Sequence, residues 1–113
     1  MEEEALNNKI VTFFEHIEKY YGCKTEITEG LFCSLEDFDP KNTTWNLSEF
    51  ELTRSAYRKN GERFMFEGQT MYYEISGERI IDFKTSGRNK YEFVEQYGEN
   101  VYRITRFRFH YKY

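Results

Sequence analysis

The stretch Val101-Tyr-Arg-Ile-Thr-Arg-Phe-Arg-Phe-His-Tyr-Lys-Tyr113 decides how the rest of the chain reads. From Thr105 onward Phe107, Phe109, Tyr111 and Tyr113 alternate with Arg106, Arg108, His110 and Lys112. Successive side chains of a strand point to opposite faces, so this period-2 pattern predicts a strand with an aromatic row on one face and a basic row on the other. The aromatic row is a core wall. It is expected to pack against the apolar stripe of a helix. The basic row, with Arg103 nearby, is either a solvated outer face or a contact surface.

Upstream of it, residues 62–100 read as a meander. Arg63–Glu67, Thr70–Ile75, Arg79–Lys84 and Lys90–Gln96 are strand-like and rich in Phe, Tyr, Ile and Val. Short breaks with Gly, Ser and Asn separate them, as consecutive antiparallel strands require. If Gly98-Glu99-Asn100 is a three-residue loop, Tyr97 faces Val101, Tyr91 faces Phe107, and Glu92 sits beside Arg106 as an opposite-charge pair. Residues 45–60 fit two patterns. Ser48-Glu-Phe-Glu51 has the form of a helix capping box. Phe50, Leu52, Arg54 and Ala56 share strand parity, and Asn60-Gly61 is a strong hairpin signal. The hairpin is preferred, because the next segment is plainly a strand.

Residues 3–21 predict an amphipathic helix. Leu6, Ile10, Phe14, Ile17 and Tyr21 fall at helical spacing, with Phe13 widening the stripe. Glu2, Glu3 and Glu4 favour its N-terminus, and Gly22 is placed to end it. Residues 24–36 alternate as a strand region. Around Pro40 the chain turns polar and acidic, which predicts a surface loop over 37–44.

The expected fold is therefore a single α+β domain over residues 1–113. An N-terminal helix packs on a curved antiparallel meander of five to seven strands. Residues 45–104, and Tyr72-Tyr-Glu-Ile-Ser-Gly-Glu-Arg-Ile-Ile-Asp-Phe83 within them, resemble the strand-and-turn rhythm of small lipocalin-like barrels. That resemblance covers about half of the chain and implies a partly open barrel.

Eleven Phe and ten Tyr in 113 residues suit such a sheet. The mean hydropathy of −0.85, the lack of a membrane-length apolar run and the acidic start predict a soluble cytoplasmic protein. Cys23 and Cys33 then read as free core thiols. The net charge of −4 conceals an asymmetry. Residues 1–51 hold four Lys/Arg against twelve Asp/Glu, and residues 52–113 hold twelve against eight. Either one side of the molecule is acidic and another basic, or the halves neutralise each other through surface pairs.

No motif for a nucleophile, a phosphate loop, a dinucleotide or a zinc site is present, so neither catalysis nor a cofactor is expected. His16 reads as a surface helix residue. Glu36, Asp37 and Asp39 lack the glycine and the distant glutamate of a calcium loop, and read first as a solvated acidic loop and, as the alternative, as an acidic patch for a basic partner. Three functions remain. The first is a protein-binding module that inhibits a larger protein, such as a nucleic-acid-processing enzyme, as immunity proteins and phage-encoded antagonists of host defence do. Its contact residues would be Arg103, Arg106, Arg108, His110 and Lys112 with Glu36, Asp37 and Asp39. The second is nucleic-acid binding through the basic strand. The third is small-ligand binding in a barrel.

Overall fold

A computed structural model describes residues 2–33, 44–58 and 62–111. Helix α1 (Glu2–Glu15) is followed by a 3-10 turn (Ile17–Tyr20). Eight strands follow: β1 (Lys24–Phe32), β2 (Thr44–Glu51), β3 (Arg54–Arg58), β4 (Arg63–Glu67), β5 (Tyr72–Ser76), β6 (Ile80–Gly87), β7 (Lys90–Gly98) and β8 (Val101–Phe109). All pairings are antiparallel. The expected helix over 3–21 breaks at His16, whose φ of −111° and ψ of 5° interrupt the helical ladder. Gly22, at φ +88°, ends the segment in the left-handed region that suits glycine. No described helix is long and apolar enough to cross a membrane.

The strands form two sheets, not the expected meander of five to seven strands, and no barrel closes. One sheet has the order β2-β1-β8-β7-β6, and the other β3-β4-β5. The sheets separate at Leu52 and Thr53, where the chain leaves β2 and enters β3. They separate again at Gly77–Arg79, a 3-10 turn between β5 and β6. The described residues of 45–60 lie in β2 and β3, joined through Leu52 and Thr53, as the strand reading prefers. β3 and β4 form the expected hairpin, with Arg58 opposite Arg63, although Asn60 and Gly61 lie outside the described residues.

The helix packs against both sheets, and two adjacent residues explain how. Phe13 meets the five-stranded sheet, with ring centroids 5.5 Å from Phe83, 4.7 Å from Tyr91 and 5.6 Å from Phe93. Phe14 turns to the other sheet and stacks on Phe64 at 4.3 Å. Phe107 and Phe109 of the aromatic row are in the core as expected, Tyr111 is half-buried and Tyr113 lies outside the described residues, but the helix partner is Phe13, at 6.4 Å from Phe109, where Phe14 was expected. Tyr20 stacks face to face on Phe109 at 4.0 Å. Phe107 bridges the layers, 4.5 Å from Phe66 and 5.7 Å from Phe93. Rings therefore occupy the volume that an open barrel would leave free, and aromatic contacts add to their area burial.

The β7–β8 register agrees with the expectation at Tyr91↔Phe107 and Glu92↔Arg106. It departs at the turn, where Gly98 opposes Val101 and a bulge between Gln96 and Gly98 takes Tyr97 out of the ladder. Cys23 and Cys33 are unbonded, but Cys33 is exposed and Cys23 half-buried, so neither is a core thiol.

Phe107→Ala is expected to cost about 3–5 kcal/mol in urea denaturation, because it removes a buried ring from the contact between the layers. Burial pushes the hydroxyls of Tyr20 and Tyr73 well above the usual phenol range. The unfolded chain then releases these protons first, so stability falls as pH rises above about 10. The expected slope is about 1.4 kcal/mol per pH unit for each tyrosine. Denaturation midpoints between pH 9 and 11.5 will show this, and Tyr20→Phe will flatten the slope.

Candidate functional surface

The terminal strand lies at the centre of the five-stranded sheet, between β1 and β7. Its even-numbered residues face outward with Thr28 and Gly30 of β1, Trp45 and Leu47 of β2, and Glu92 and Val94 of β7. Thus Arg106 and Arg108 share the outer face, as the alternation predicts, and His110 follows them beside the N-terminal end of β1. Arg103 has the opposite parity and faces the interior. Lys112, Glu36, Asp37 and Asp39 lie outside the described residues.

Every described member of the basic row has a carboxylate beside it. Arg106 Nε donates to Glu92 Oε1 at 2.9 Å, and Lys84 reaches the other oxygen of Glu92 at 3.2 Å. Arg108 and His110 both approach Glu26 Oε2, at 3.8 and 3.2 Å. Lys24 meets Glu49 at 3.3 Å. The acidic and basic halves of the chain are thus brought together by the β1–β8 pairing, which sets Glu26 opposite Arg108. The arginines and lysines of these pairs are exposed, although Glu92 is buried, and an ion pair open to solvent on one side contributes little to stability. Their effect is to leave a mixed-charge face in place of a basic ridge.

The same face carries an aromatic and aliphatic patch that the alternation does not reveal. Trp45 lies across Gly30, where an added Cβ would come within 2.7 Å of the indole ring. Glycine is needed there for the ring to lie flat on the sheet. The Arg106 guanidinium sits 5.3 Å from the centre of the Trp45 ring. Leu47, two residues further along β2, is 71% exposed. Phe32 stacks on Tyr102 nearby, at 5.5 Å. The residues 44–51 carry alternating polarity, so a strand was legible. Which strand they pair with was not, and that pairing is what sets Trp45 beside Arg106.

Arg103 has a different setting. Its Nε donates to Glu95 Oε1 at 2.6 Å, one Nη donates to the Glu74 carbonyl of the other sheet at 2.7 Å, and the second Nη lies 3.4 Å from Glu29. Glu95 is fully buried, and it also accepts from the Ser76 N–H at 2.9 Å and from the Tyr97 hydroxyl. Burial opposes the charge on Arg103, but the hydrogen bond to Glu95 and the surrounding negative charge outweigh it and hold the guanidinium more firmly protonated. Burial and the Glu95 carboxylate together push the Tyr97 hydroxyl up to about 12. Tyr73 completes the cluster through its hydroxyl contact with Thr105 at 2.7 Å. The arrangement ties β1, β5, β7 and β8 together. All buried polar side-chain atoms among the described residues have partners, so this cluster reads as a structural lock. Among the described residues no group of His, Cys, Asp and Glu is placed to hold a metal ion.

The two arginine environments predict different costs. Arg103→Met strands the buried Glu95 carboxylate and is expected to lose about 3–5 kcal/mol, whereas Arg106→Met is expected to lose less than about 1 kcal/mol. The double variant Arg103→Met/Glu95→Leu should be more stable than Arg103→Met alone, since the fully buried carboxylate is removed with its partner and only the less buried Glu29 loses an ion pair. Urea denaturation of the three variants checks this ordering.

Comparison with known proteins adds no assignment, as no family model, no curated protein and no solved structure matches the chain.

Proposed function

We propose that this protein is a protein-binding module that inhibits a larger protein by occupying its surface, and that the outer face of the five-stranded sheet makes the contact. The observation that carries this reading is the Trp45–Leu47 patch, exposed beside a row of mutually paired charges. Trp, Tyr and Arg dominate the energetics of protein interfaces, where a central apolar anchor is ringed by polar groups. Trp45, Arg106 and Tyr102 supply those residue types on one face, and Leu47 supplies an aliphatic anchor at its edge. The partner is a protein surface with an apolar depression for Trp45 and Leu47 and charges that exchange with Arg106, Glu92, Arg108 and Glu26.

The same pairing of charges weakens the nucleic-acid reading. A polyanion gains affinity by releasing counterions from cations that were free, and Arg106 and Arg108 already sit against carboxylates. Bacterial immunity proteins and phage-encoded antagonists of host nucleases, which act by occupying a surface of a larger protein, provide the analogy for the inhibitory role. It implies a cytoplasmic site of action.

Leu47→Glu places a charge at the anchor without disturbing the core. With a partner captured on immobilised protein and identified by mass spectrometry, this variant is expected to weaken binding by about 30-fold, the effect of losing one interface anchor worth about 2 kcal/mol. Its stability should stay within about 0.5 kcal/mol of the original. Val11→Glu, at an exposed helix position away from this face, should bind normally. Equal binding by the Leu47 and Val11 variants would remove the outer face from consideration.

A further inference from the structure

A separate cleft of about 680 Å³ lies between the helix and the free edge of β6. Its floor is apolar and aromatic, formed by Phe13, Tyr20, Phe83 and Tyr91. The Phe83 and Tyr91 rings lie parallel to within 4°, and the Tyr20 and Tyr91 hydroxyls are 2.8 Å apart. Around the rim stand Lys9, His16, Lys19 and Lys84, with Asn8, Thr12 and Thr85 as uncharged polar groups. Among the described residues lining it, none is acidic. This is notable in a protein of net charge −4. The opposite flank of the same helix has the reverse character, with Glu15 and Glu62 beside an apolar cleft and no lysine or arginine among its described lining residues.

Three features narrow the ligand. First, Lys9 and Lys19 have no ion-pair partner among the described residues, unlike the outer-face cations, and the Lys19 ammonium lies over the floor, 5.0 Å from the centre of the Tyr20 ring. Second, the cations are distributed. Lys9 stands on α1 and Lys19 on the 3-10 turn after it, so the positive charge comes from separate elements, which suits an anion with charge on more than one group better than a single carboxylate. Third, the floor is aromatic, with buried Phe13, Tyr20 and Phe83 behind the half-buried Tyr91, a lining that accepts a planar body with polar edges. We infer that this cleft binds a nucleoside di- or triphosphate, the base against the Tyr91 end of the floor and the phosphates along Lys9 and Lys19. Lysines bind phosphates as point charges and need no fixed fork geometry, so their exposed, mobile ammonium groups are adequate to the task. Lys84, held by Glu92, borders the cleft and contributes a weaker field.

ADP, adenosine and inorganic phosphate titrated into the full-length protein, with binding read by calorimetry and by NMR shifts, test the assignment. ADP is expected to saturate one site and to shift resonances of Tyr91, Thr12 and Thr85. Adenosine and phosphate alone are each expected to bind at least tenfold more weakly. The double variant Lys9→Glu/Lys19→Glu, at two exposed positions, should weaken ADP at least tenfold. Arg79→Glu/Lys90→Glu, which makes the same change in net charge outside the cleft, should leave it within twofold. No saturable binding of ADP overturns the inference, as does equal loss in both double variants. Phosphate binding as tightly as ADP overturns the role of the floor. A five-nucleotide single strand that binds through Lys9 and Lys19 while ADP does not would assign the phosphates to nucleic acid and overturn the free-nucleotide assignment.

Discussion

Strand β8 is hydrogen-bonded along both edges, to β1 and to β7, and this double pairing governs the interior and exterior of the molecule together. A strand with two partners cannot slip in register without breaking two ladders and turning every side chain to the wrong face. Phe107 and Phe109 are therefore held in the core, and Arg106 and Arg108 are held outside. Thr105 and Arg103 continue the inward parity past the aromatic rows, which is why a guanidinium ends up between the sheets. There the apolar core gives way to a polar network, in which Glu95 and the Glu74 carbonyl accept from one side chain and join the two layers.

The division into sheets of five and three strands has an equally local cause. A helix carrying Phe13 and Phe14 in succession presents aromatic rings in two directions. Each ring needs a sheet to bury it. Two open sheets with a helix packed against both satisfy this, whereas a closed barrel would leave one ring in solvent or overfill the interior. Tyr20 extends the same role beyond the break at His16, stacking on Phe109 and donating to the Asn89 side chain at 2.9 Å. Asn89 takes the left-handed conformation, at φ +58°, in the turn between β6 and β7.

Charge is arranged by these same constraints. Pairing β1 with β8 brings carboxylates of the acidic half against cations of the basic half, so the asymmetry along the sequence is largely neutralised on the outer sheet face. Where charge remains unbalanced is around the helix, whose two flanks belong to different clefts of opposite character. The two proposed contact regions lie where exposed apolar surface or cations without an ion-pair partner among the described residues remain: Trp45 and Leu47 on the sheet, and Lys9 and Lys19 beside aromatic rings at the edge of β6.

The amino-acid sequence by itself determined the local elements, because their causes are local. Period-2 alternation in residues 101–111 and helical spacing over residues 6–14 identify strand and helix, and the β7–β8 register is legible from Tyr91, Glu92 and their partners, since a short hairpin leaves few alternatives. The α+β class and the aromatic core follow from the same signals. Tertiary structure alone decided which strands are neighbours when the chain between them is long. Nothing in the period of β1 or β2 distinguishes an edge from a centre, so the placement of β8 beside β1, the pairing of Glu26 with Arg108, and the separation of Arg103 from Arg106 and Arg108 were beyond local reading. The Trp45 patch and the lysine-rimmed cleft depend on residues far apart in the chain. Their proximity is set by the packing of one helix against two sheets, an outcome of competition for burial among all the aromatic rings at once.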